Sequence, residues 1–276
     1  MSAPAEHFFI VGGQRCGTTY LCHLMDEHPE IEMARPFRPE PKHFLQEVTF
    51  PDGLAGFEST LFGGKPGTRV RGEKSTSYME SRAAAERLAT WYPRAKIVFV
   101  LRDPIERAQS HYWFSVANGL ESLPMPEAFM RENERRNSFD PAQVSVSPFA
   151  YLSRGLYFEY LAMYEAFFPR ERIAVLLYEE IVETVDAVQG LYAFLGVDQQ
   201  FSPAAAGRRI NQGTNRSSGL PREVEKYMEA YFEEANARLA ARLGRDLSRW
   251  WRVGGSNPCT SSRADSQRRA GSLRHP

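Results

Sequence analysis

The sequence predicts an α/β fold in which a central parallel sheet carries helices on both of its faces. Short apolar runs alternate along the chain with segments whose apolar residues recur at helical spacing, and this alternation is typical of a parallel sheet. Two of the runs, Ile97–Leu101 and Ile173–Leu177, are apolar without interruption, as expected for strands covered on both faces. A glycine-rich turn follows the first run, Phe8–Val11, and indicates a strand, loop and helix unit.

The other elements follow in order along the chain. Ile31–Met33 is the remaining strand candidate. Proline and glycine mark helix boundaries, because Pro104 suits a first helical position and Gly196 suits the residue after a last one. The predicted helices are Thr18–Glu27, Arg82–Trp91, Pro104–Asn118, Gly155–Phe168, Val185–Leu195 and Pro221–Leu243.

The composition indicates one domain over residues 6–251, followed by a tail. The chain has 276 residues, of which 42% are hydrophobic and 12% aromatic, so it can bury a large core. Residues 252–276 carry five arginines against one aspartate and few apolar side chains, and we expect a disordered basic tail there. A formal net charge of zero argues against a nucleic-acid partner.

Cysteine content and hydropathy predict the compartment. The three cysteines, Cys16, Cys22 and Cys259, suit a reducing environment and match neither a disulfide framework nor a metal-binding pattern. The first strand begins by Phe8, which leaves no room for a signal peptide, and no apolar run is long enough to span a membrane. We therefore expect a cytoplasmic protein without a membrane span.

The turn Gly12–Thr19 has the spacing of a phosphate-binding P-loop, and the fold it predicts is the P-loop-type three-layer sandwich. The nucleoside-triphosphate form of this loop reads G-x-x-x-x-G-K-[ST], but here Thr18 stands at the lysine position. The backbone amides and the start of the following helix can still hold an anion. Without the lysine that reaches the β- and γ-phosphates, the loop favours a nucleotide with a different anionic end.

A second candidate anion site follows the strand Ile97–Leu101. Ligands of open α/β sheets bind beyond the carboxyl ends of the strands, which places Arg102 near the P-loop. Arginine holds phosphate bidentately, and Ser110 can add a hydroxyl from the next helix. The alternative for Arg102 is an ion pair with Asp103 or Glu106. A magnesium ligand at Asp103 is disfavoured by the proline that follows it and by the missing loop lysine.

Two extended segments hold the remaining candidates. Three prolines keep the first, Arg35–Phe44, extended, and it contains Glu40 and His43. The second, Gly72–Tyr78, contains Lys74, one of only five lysines in the chain. From spacing alone, each of these side chains could equally be a solvated charge or a packing group.

Taken in order, these segments closely resemble the PAPS-dependent sulfotransferases, in the branch that contains the heparan sulfate 3-O- and N-sulfotransferases and their bacterial relatives. PAPS is 3′-phosphoadenosine-5′-phosphosulfate, and the resemblance extends from Phe8 to about Trp251. The matching stretches are Gln14-Arg15-Cys16-Gly17-Thr18-Thr19, Glu40-Pro41-Lys42, Glu73-Lys74-Ser75-x-x-Tyr78, Arg102 with Ser110, Arg154-Gly155-Leu156-Tyr157, Phe167-Phe168-Pro169 and Tyr231-Phe232 through Trp250.

The chain also departs from the family pattern at three places. The loop lysine is replaced by Arg15, which keeps the charge but donates a proton poorly. Thr76 stands where the family has proline, and Ile210–Arg216 matches a late cofactor loop only loosely.

The resemblance implies an enzyme that moves a sulfuryl group from PAPS to a hydroxyl or amine without a metal. It assigns proton removal to Glu40, and stabilisation of the transferring group to Arg15 and Lys74. Lys42 and Lys74 are expected to keep Glu40 ionised. His43 is the alternative base, at a position where the family pattern has Phe. The residues that the resemblance assigns to cofactor binding are Arg15, Cys16, Gly17, Thr18, Thr19, Arg102 and Ser110.

Two other functions compete with this one, and the acceptor is not encoded in any motif. A kinase-like phosphotransferase would need magnesium, and a non-catalytic nucleotide- or glycan-binding module would not need Glu40 and Lys74. We expect a bacterial-type enzyme acting on a small-molecule, lipid, sugar or polyketide-like acceptor. The polar segment Ala117–Tyr151 is either a substrate loop or, over Pro126–Asn137, a solvated helix face.

Overall fold

Five parallel strands form the sheet of the computed structural model, which describes residues 5–47, 50, 52–140, 144–207 and 220–250. The strands lie in the order β2-β3-β1-β4-β5. Their bounds are β1 Glu6–Gly12, β2 Ile31–Met33, β3 Val70–Lys74, β4 Lys96–Leu101 and β5 Ile173–Leu177. The predicted parallel α/β fold with flanking helices is confirmed.

The described residues form ten α-helices. Their bounds are α1 Thr18–Glu27, α2 Gly53–Leu61, α3 Arg82–Trp91, α4 Pro104–Ala117, α5 Met125–Met130, α6 Glu132–Arg135, α7 Tyr157–Glu165, α8 Tyr178–Glu183, α9 Asp186–Leu195 and α10 Arg222–Leu243. All six predicted helices are present, α1 and α3 with the predicted ends. Helices α5 and α6 cover most of residues 126–137, the range for which a solvated helix face was one of two alternatives.

The strand β3 was not predicted as a strand, because its sequence Val-Arg-Gly-Glu-Lys carries one apolar side chain. It pairs with β1 on one side, where Lys74 is opposite Ile10, and with β2 on the other. A side chain at Gly72 would place its Cβ 2.3 Å from Phe8 and 2.5 Å from Met33, so close packing from both neighbours requires glycine there.

The core lies on both sides of the sheet. Tyr192 of α9 donates a hydrogen bond from its hydroxyl to Leu24 O of α1 at 3.0 Å. Tyr164 of α7 donates to Tyr78 O at 2.9 Å and packs edge-on against Phe99 of β4. Helices α3 and α10 also contact α7. Apolar side chains of all five strands are buried against these helices.

No helix among the described residues is both long and apolar enough to cross a membrane. The tail 252–276 and the segment Ile210–Arg216 lie outside the described residues. The single domain over 6–251 and the disordered tail therefore stay predictions.

Candidate active site

The candidate residues meet at one edge of the sheet, where the carboxyl ends of the parallel strands lie together. The P-loop follows β1, the Glu40 segment follows β2, Lys74 ends β3 and Arg102 follows β4. Because β1 lies between β3 and β4, the P-loop is flanked by Lys74 on one side and by Arg102 on the other. The topology thus brings together four segments that are up to about a hundred residues apart in sequence.

The P-loop has the backbone of an anion cradle. Gly13 N donates to Val100 O at 2.6 Å, which ties the loop to β4. Arg15 and Gly17 have positive φ values of 66° and 82°, the left-handed conformation found in anion-binding backbone nests. Gly17 is the N-cap residue of α1, and no side chain caps this helix start. The first-turn amides, including those of Thr18 and Thr19, and the positive end of the helix dipole therefore favour an anion.

Gly17 is required by its neighbour as well as by its backbone. A Cβ at this position would lie 2.5 Å from Cδ2 of Tyr178, the first residue of α8. The Tyr178 ring thus packs directly against the P-loop, and the Arg102 guanidinium lies 4.7 Å from the centre of the same ring. The sequence analysis did not name Tyr178. The one signal for it in the sequence is its position directly after the strand β5.

Arg15 connects the two predicted phosphate sites. Its Nε donates to Ser110 Oγ at 3.2 Å, and its guanidinium lies 5.0 Å from the centre of the Phe114 ring. Burial lowers the pKa of Arg15, and the positive charges of Arg102 and Arg38 lower it further. An anion bound here would relieve this concentration of positive charge. Arg38, two residues before Glu40, was not among the predicted residues.

Arg102 forms the ion pair that we named as its alternative. It donates to Glu106 Oε2 at 2.8 Å from NH2 and at 3.2 Å from Nε. Burial opposes the charged form, but the hydrogen bonds that Arg102 donates to Glu106 raise the pKa of Arg102 overall. Glu106 is half exposed, so the pair can open toward a second anion at modest cost. Asp103 caps α4 by accepting from Ile105 N at 2.8 Å, which is not the role of a metal ligand.

Glu40 is held by Lys74 and Thr76. Lys74 Nζ donates to Glu40 Oε1 at 2.7 Å, and its side chain is only 4% exposed. Thr76 donates its backbone N–H to Oε2 at 3.0 Å and its hydroxyl to the same carboxylate. The family pattern has proline at this position, and proline has no N–H to donate. The departure at Thr76 therefore gives Glu40 two additional hydrogen-bond donors.

The side chains of Lys42 and His43 contact residues other than Glu40. Lys42 Nζ donates to Ser145 Oγ at 2.8 Å, so the structure gives Glu40 its ion pair through Lys74 and not through Lys42. The exposed His43 packs edge-on against Phe57 of α2, with ring centres 4.9 Å apart. Partial burial lowers the pKa of His43.

Arg154 is a buried connector that the sequence showed only as part of a motif. It is 1% exposed, forms an ion pair with Glu80 at 2.9 Å and donates to Gln14 Oε1 of the P-loop at 2.9 Å. Arg154 NH1 also lies 3.3 Å from His111 Nε2, and Arg154 NH2 donates to Ser147 O at 2.9 Å. Burial and the charge of Arg154 hold the pKa of His111 well below its usual range, so this ring is neutral.

The side chain of Cys16, a loop residue that the family resemblance assigned to cofactor binding, is fully buried. Its Sγ lies 3.7 Å from the hydroxyl of Tyr157, which donates to Arg102 O at 2.9 Å. Burial raises the pKa of the Cys16 thiol, so it is not a reactive thiolate. Among the described ranges, no cluster of three or more His, Cys, Asp or Glu side chains is arranged to hold a metal ion.

Glu73 makes stability depend on pH. Burial raises the pKa of this carboxyl to about 7 from 4.5, although hydrogen bonds from Ser75 and Tyr78 oppose the shift. A raised folded-state pKa gives stability that is complete below the unfolded pKa and is lost as pH rises through the folded one. Between pH 4.5 and 7 this group should lower the free energy of unfolding by roughly 3 kcal/mol.

Glu73→Gln is expected to remove that part of the pH dependence, which urea unfolding at several pH values measures. The stability of the variant relative to the parent should rise across this range and level off above pH 7. The control is Glu159→Gln, at an exposed surface pair with Arg238. A constant difference between Glu73→Gln and the parent would contradict the raised pKa.

Comparison with known proteins was consistent with the geometry. A family model described as a sulfotransferase domain matches residues 5–218. The crystal structure of a sulfotransferase from Alicyclobacillus acidocaldarius is similar with a TM-score of 0.72 and 30% identity, over 91% of this chain and 100% of that one.

Two curated proteins are similar in sequence. The membrane-associated sulfotransferase kil1 of Dictyostelium discoideum is 24% identical over 87% of this chain and 66% of its own length. Human heparan sulfate glucosamine 3-O-sulfotransferase 6 is 29% identical over 71% of this chain. The chain spans 55% of the length of that human protein.

Proposed function

We propose that this chain, which belongs to the sulfotransferase family, moves a sulfuryl group from PAPS to a hydroxyl or amine of an acceptor. One observation carries the proposal: an uncapped helix start and Arg15 lie beside a carboxylate that a buried lysine holds. The helix start and Arg15 are suited to binding an anion, and Glu40 with Lys74 is suited to removing a proton. The three segments that contain them are among those that the family resemblance assigned.

The donor set fits a nucleotide with two separate anionic ends. The P-loop amides and Arg15 would hold the 5′-phosphosulfate, because no side chain caps the start of α1 and its first amides point to the loop. Arg102 and Ser110, which follow β4, would hold the 3′-phosphate on the side of β1 opposite to Lys74. Ser110 already accepts from Arg15, so the two ends lie close enough for one ligand.

PAPS supplies a sulfuryl group with a single negative charge, and the protein's own work is positioning and charge stabilisation. Arg15 and the loop amides would hold the charged oxygens, with Lys74 on the far side of the loop. Glu40 would take the proton of the acceptor as the new bond to sulfur forms and the bond from sulfur to the nucleotide breaks. Arg15 stays charged throughout and donates no proton.

PAP, the desulfated nucleotide with both phosphates, is expected to raise the melting temperature, because it binds the native state alone. At a hundred times its dissociation constant the gain is about 2.7 kcal/mol. Magnesium-ATP should raise the melting temperature much less, since Thr18 replaces the lysine of the nucleoside-triphosphate loop. Differential scanning fluorimetry with both ligands measures this. Equal or stronger stabilisation by magnesium-ATP would favour the kinase-like alternative.

Arg102→Ala is expected to weaken PAP binding by ~1.5–3 kcal/mol, the scale of a lost charge-assisted contact. Adenosine-5′-phosphosulfate lacks the 3′-phosphate, so calorimetry should show little change in its affinity. Arg131→Ala is the matched control, since Arg131 also pairs with a glutamate four residues away in sequence. If both nucleotides lose affinity equally, Arg102 holds the strand end and not the 3′-phosphate.

We propose the acceptor only as a chemical class: a small molecule, lipid, sugar or polyketide-like compound with a hydroxyl or amine. The proposal includes a cytoplasmic, bacterial-type enzyme, and the similarity to the Alicyclobacillus acidocaldarius structure over its whole length supports it. A screen of acceptors with PAPS carrying radiolabelled sulfate tests this directly. Transfer to no acceptor, together with tight PAP binding, would favour the non-catalytic binding module.

A further inference from the structure

A buried carboxylate that the proposed reaction does not use lies next to Lys74. Glu73 ends β3 with Lys74 and is 3% exposed. Its Oε1 accepts two hydrogen bonds, from Ser75 Oγ at 2.7 Å and from the Tyr78 hydroxyl at 2.9 Å. Both donors lie just after β3 along the chain, Tyr78 in the short 3-10 helix Thr76–Tyr78, and both are fully buried.

Each of these hydroxyls also accepts a hydrogen bond from the segment that carries Glu40. Lys42 N donates to Ser75 Oγ at 2.9 Å, and Phe44 N donates to the Tyr78 hydroxyl at 3.2 Å. One oxygen of Glu73 is thus connected through two hydroxyls to the amides two and four residues after Glu40. We call these two chains of hydrogen bonds, through Ser75 and through Tyr78, the Glu73 relay.

The carboxylate sets the direction of both chains. A hydroxyl has one proton to donate and can rotate. When it donates to Glu73, its lone pairs are free for the backbone N–H, and hydrogen bonds in such chains strengthen one another. Without an acceptor at position 73, neither hydroxyl has a fixed orientation, so its lone pairs are no longer held toward the backbone amide. The Glu40 segment would then lose two fixed attachments.

We propose that Glu73 is a positioning residue that holds the Glu40 segment through Ser75 and Tyr78, so that the Glu40 carboxylate stays aimed at the acceptor. This inference rests on the proposed function, in which Glu40 is the base. Pro39 and Pro41 restrict the backbone on either side of Glu40. The relay attaches that stiff segment to the end of β3, from which Lys74 reaches Glu40.

The test uses Ser75→Ala and Tyr78→Phe, which each remove one hydroxyl, and the pair Glu73→Gln and Glu73→Leu. Gln keeps an acceptor oxygen at position 73 and Leu does not. Tyr192→Phe is the matched control, because Tyr192 is equally buried and its hydroxyl donates to Leu24 O, in the α1–α9 layer. Three quantities are measured: the single-turnover rate, the PAP dissociation constant and the hydrogen exchange of the Lys42 and Phe44 amides.

Ser75→Ala and Tyr78→Phe are each expected to lower the single-turnover rate roughly 10-fold, since small misplacements of a reacting group are costly. PAP affinity should stay within about twofold, and exchange of the Lys42 amide in the first variant and of the Phe44 amide in the second should accelerate. Glu73→Gln should keep most of the rate that Glu73→Leu loses. Adding Tyr78→Phe to Glu73→Leu should cost little more, because the relay is already broken.

Two results would overturn the inference: unchanged exchange of both amides, or rates that fall no further than in Tyr192→Phe. If Glu73→Leu does not fold, Ser75→Ala and Tyr78→Phe still decide the question. Failure of the proposed function would give other results: Glu40→Gln would be fully active, or no acceptor would be sulfated. In that case faster exchange of the two amides would still support the attachment of the segment to Glu73.

Discussion

Glu40→Gln is expected to lower the single-turnover rate of sulfuryl transfer by roughly 100- to 10,000-fold, the range for loss of a general base. Glutamine keeps the shape of the side chain and can still accept from Lys74 and Thr76, but it cannot take the proton of the acceptor. PAP affinity should be retained, since the phosphates are assigned to the P-loop, Arg102 and Ser110. Rapid-quench measurement with labelled PAPS gives the rate, and calorimetry gives the affinity.

His43→Ala is the control for Glu40→Gln and is expected to cost much less. His43 is exposed and packs against Phe57, whereas Glu40 is held by the buried Lys74. If His43 is the base, the order reverses, with His43→Ala nearly inactive and Glu40→Gln active. Comparing both variants under the same conditions, with PAP affinity checked for each, decides between the two residues.

Arg154→Leu is expected to lower the free energy of unfolding by ~3–5 kcal/mol, because it breaks a buried ion pair and leaves its partners unpaired. The Arg154 side chain is 1% exposed and is bonded at once to Glu80, to Gln14 and to Ser147 O. Since Gln14 belongs to the P-loop, the variant should also bind PAP more weakly. Urea unfolding with linear extrapolation measures the stability.

Arg238→Leu is the matched control for Arg154→Leu. Arg238 also pairs with a glutamate at 2.9 Å, but both side chains are about half exposed. Exposed pairs contribute only about 0–1 kcal/mol, so this variant should be nearly as stable as the parent. Equal losses in the two variants would show that burial adds nothing at Arg154 and that its contacts with the P-loop carry little energy.

The sequence was sufficient for the elements whose signal is local. Continuous apolar runs predicted β5 with the observed ends and β4 to within one residue, and proline and glycine signals placed α1 and α3. The sequence missed α2, which contains two glycines, and α8, which has six residues. Short or glycine-containing helices have weak intrinsic stability, so tertiary packing decides whether they form.

The strand β3 was missed for a different reason. It is polar, and a polar strand has no hydrophobic pattern to read. Glu73 and Lys74 are buried there only because partners outside the strand satisfy them, Tyr78 for the first and Glu40 for the second. Gly72 is in place because two neighbouring strands leave it no room for a side chain. None of these partners is adjacent in sequence to the residue that it satisfies.

The sequence by itself determined the family and the fold class, and both are confirmed. These properties depend on residue type, order and periodicity, which a chain carries before it folds. The tertiary structure alone decided how the charged side chains pair. It joined Arg102 to Glu106, turned Lys42 to Ser145, gave Glu40 the N–H of Thr76 and buried Glu73 beneath the Glu40 segment. Long polar side chains reach whichever partner folding brings within hydrogen-bond distance, and that distance is set by packing between remote segments.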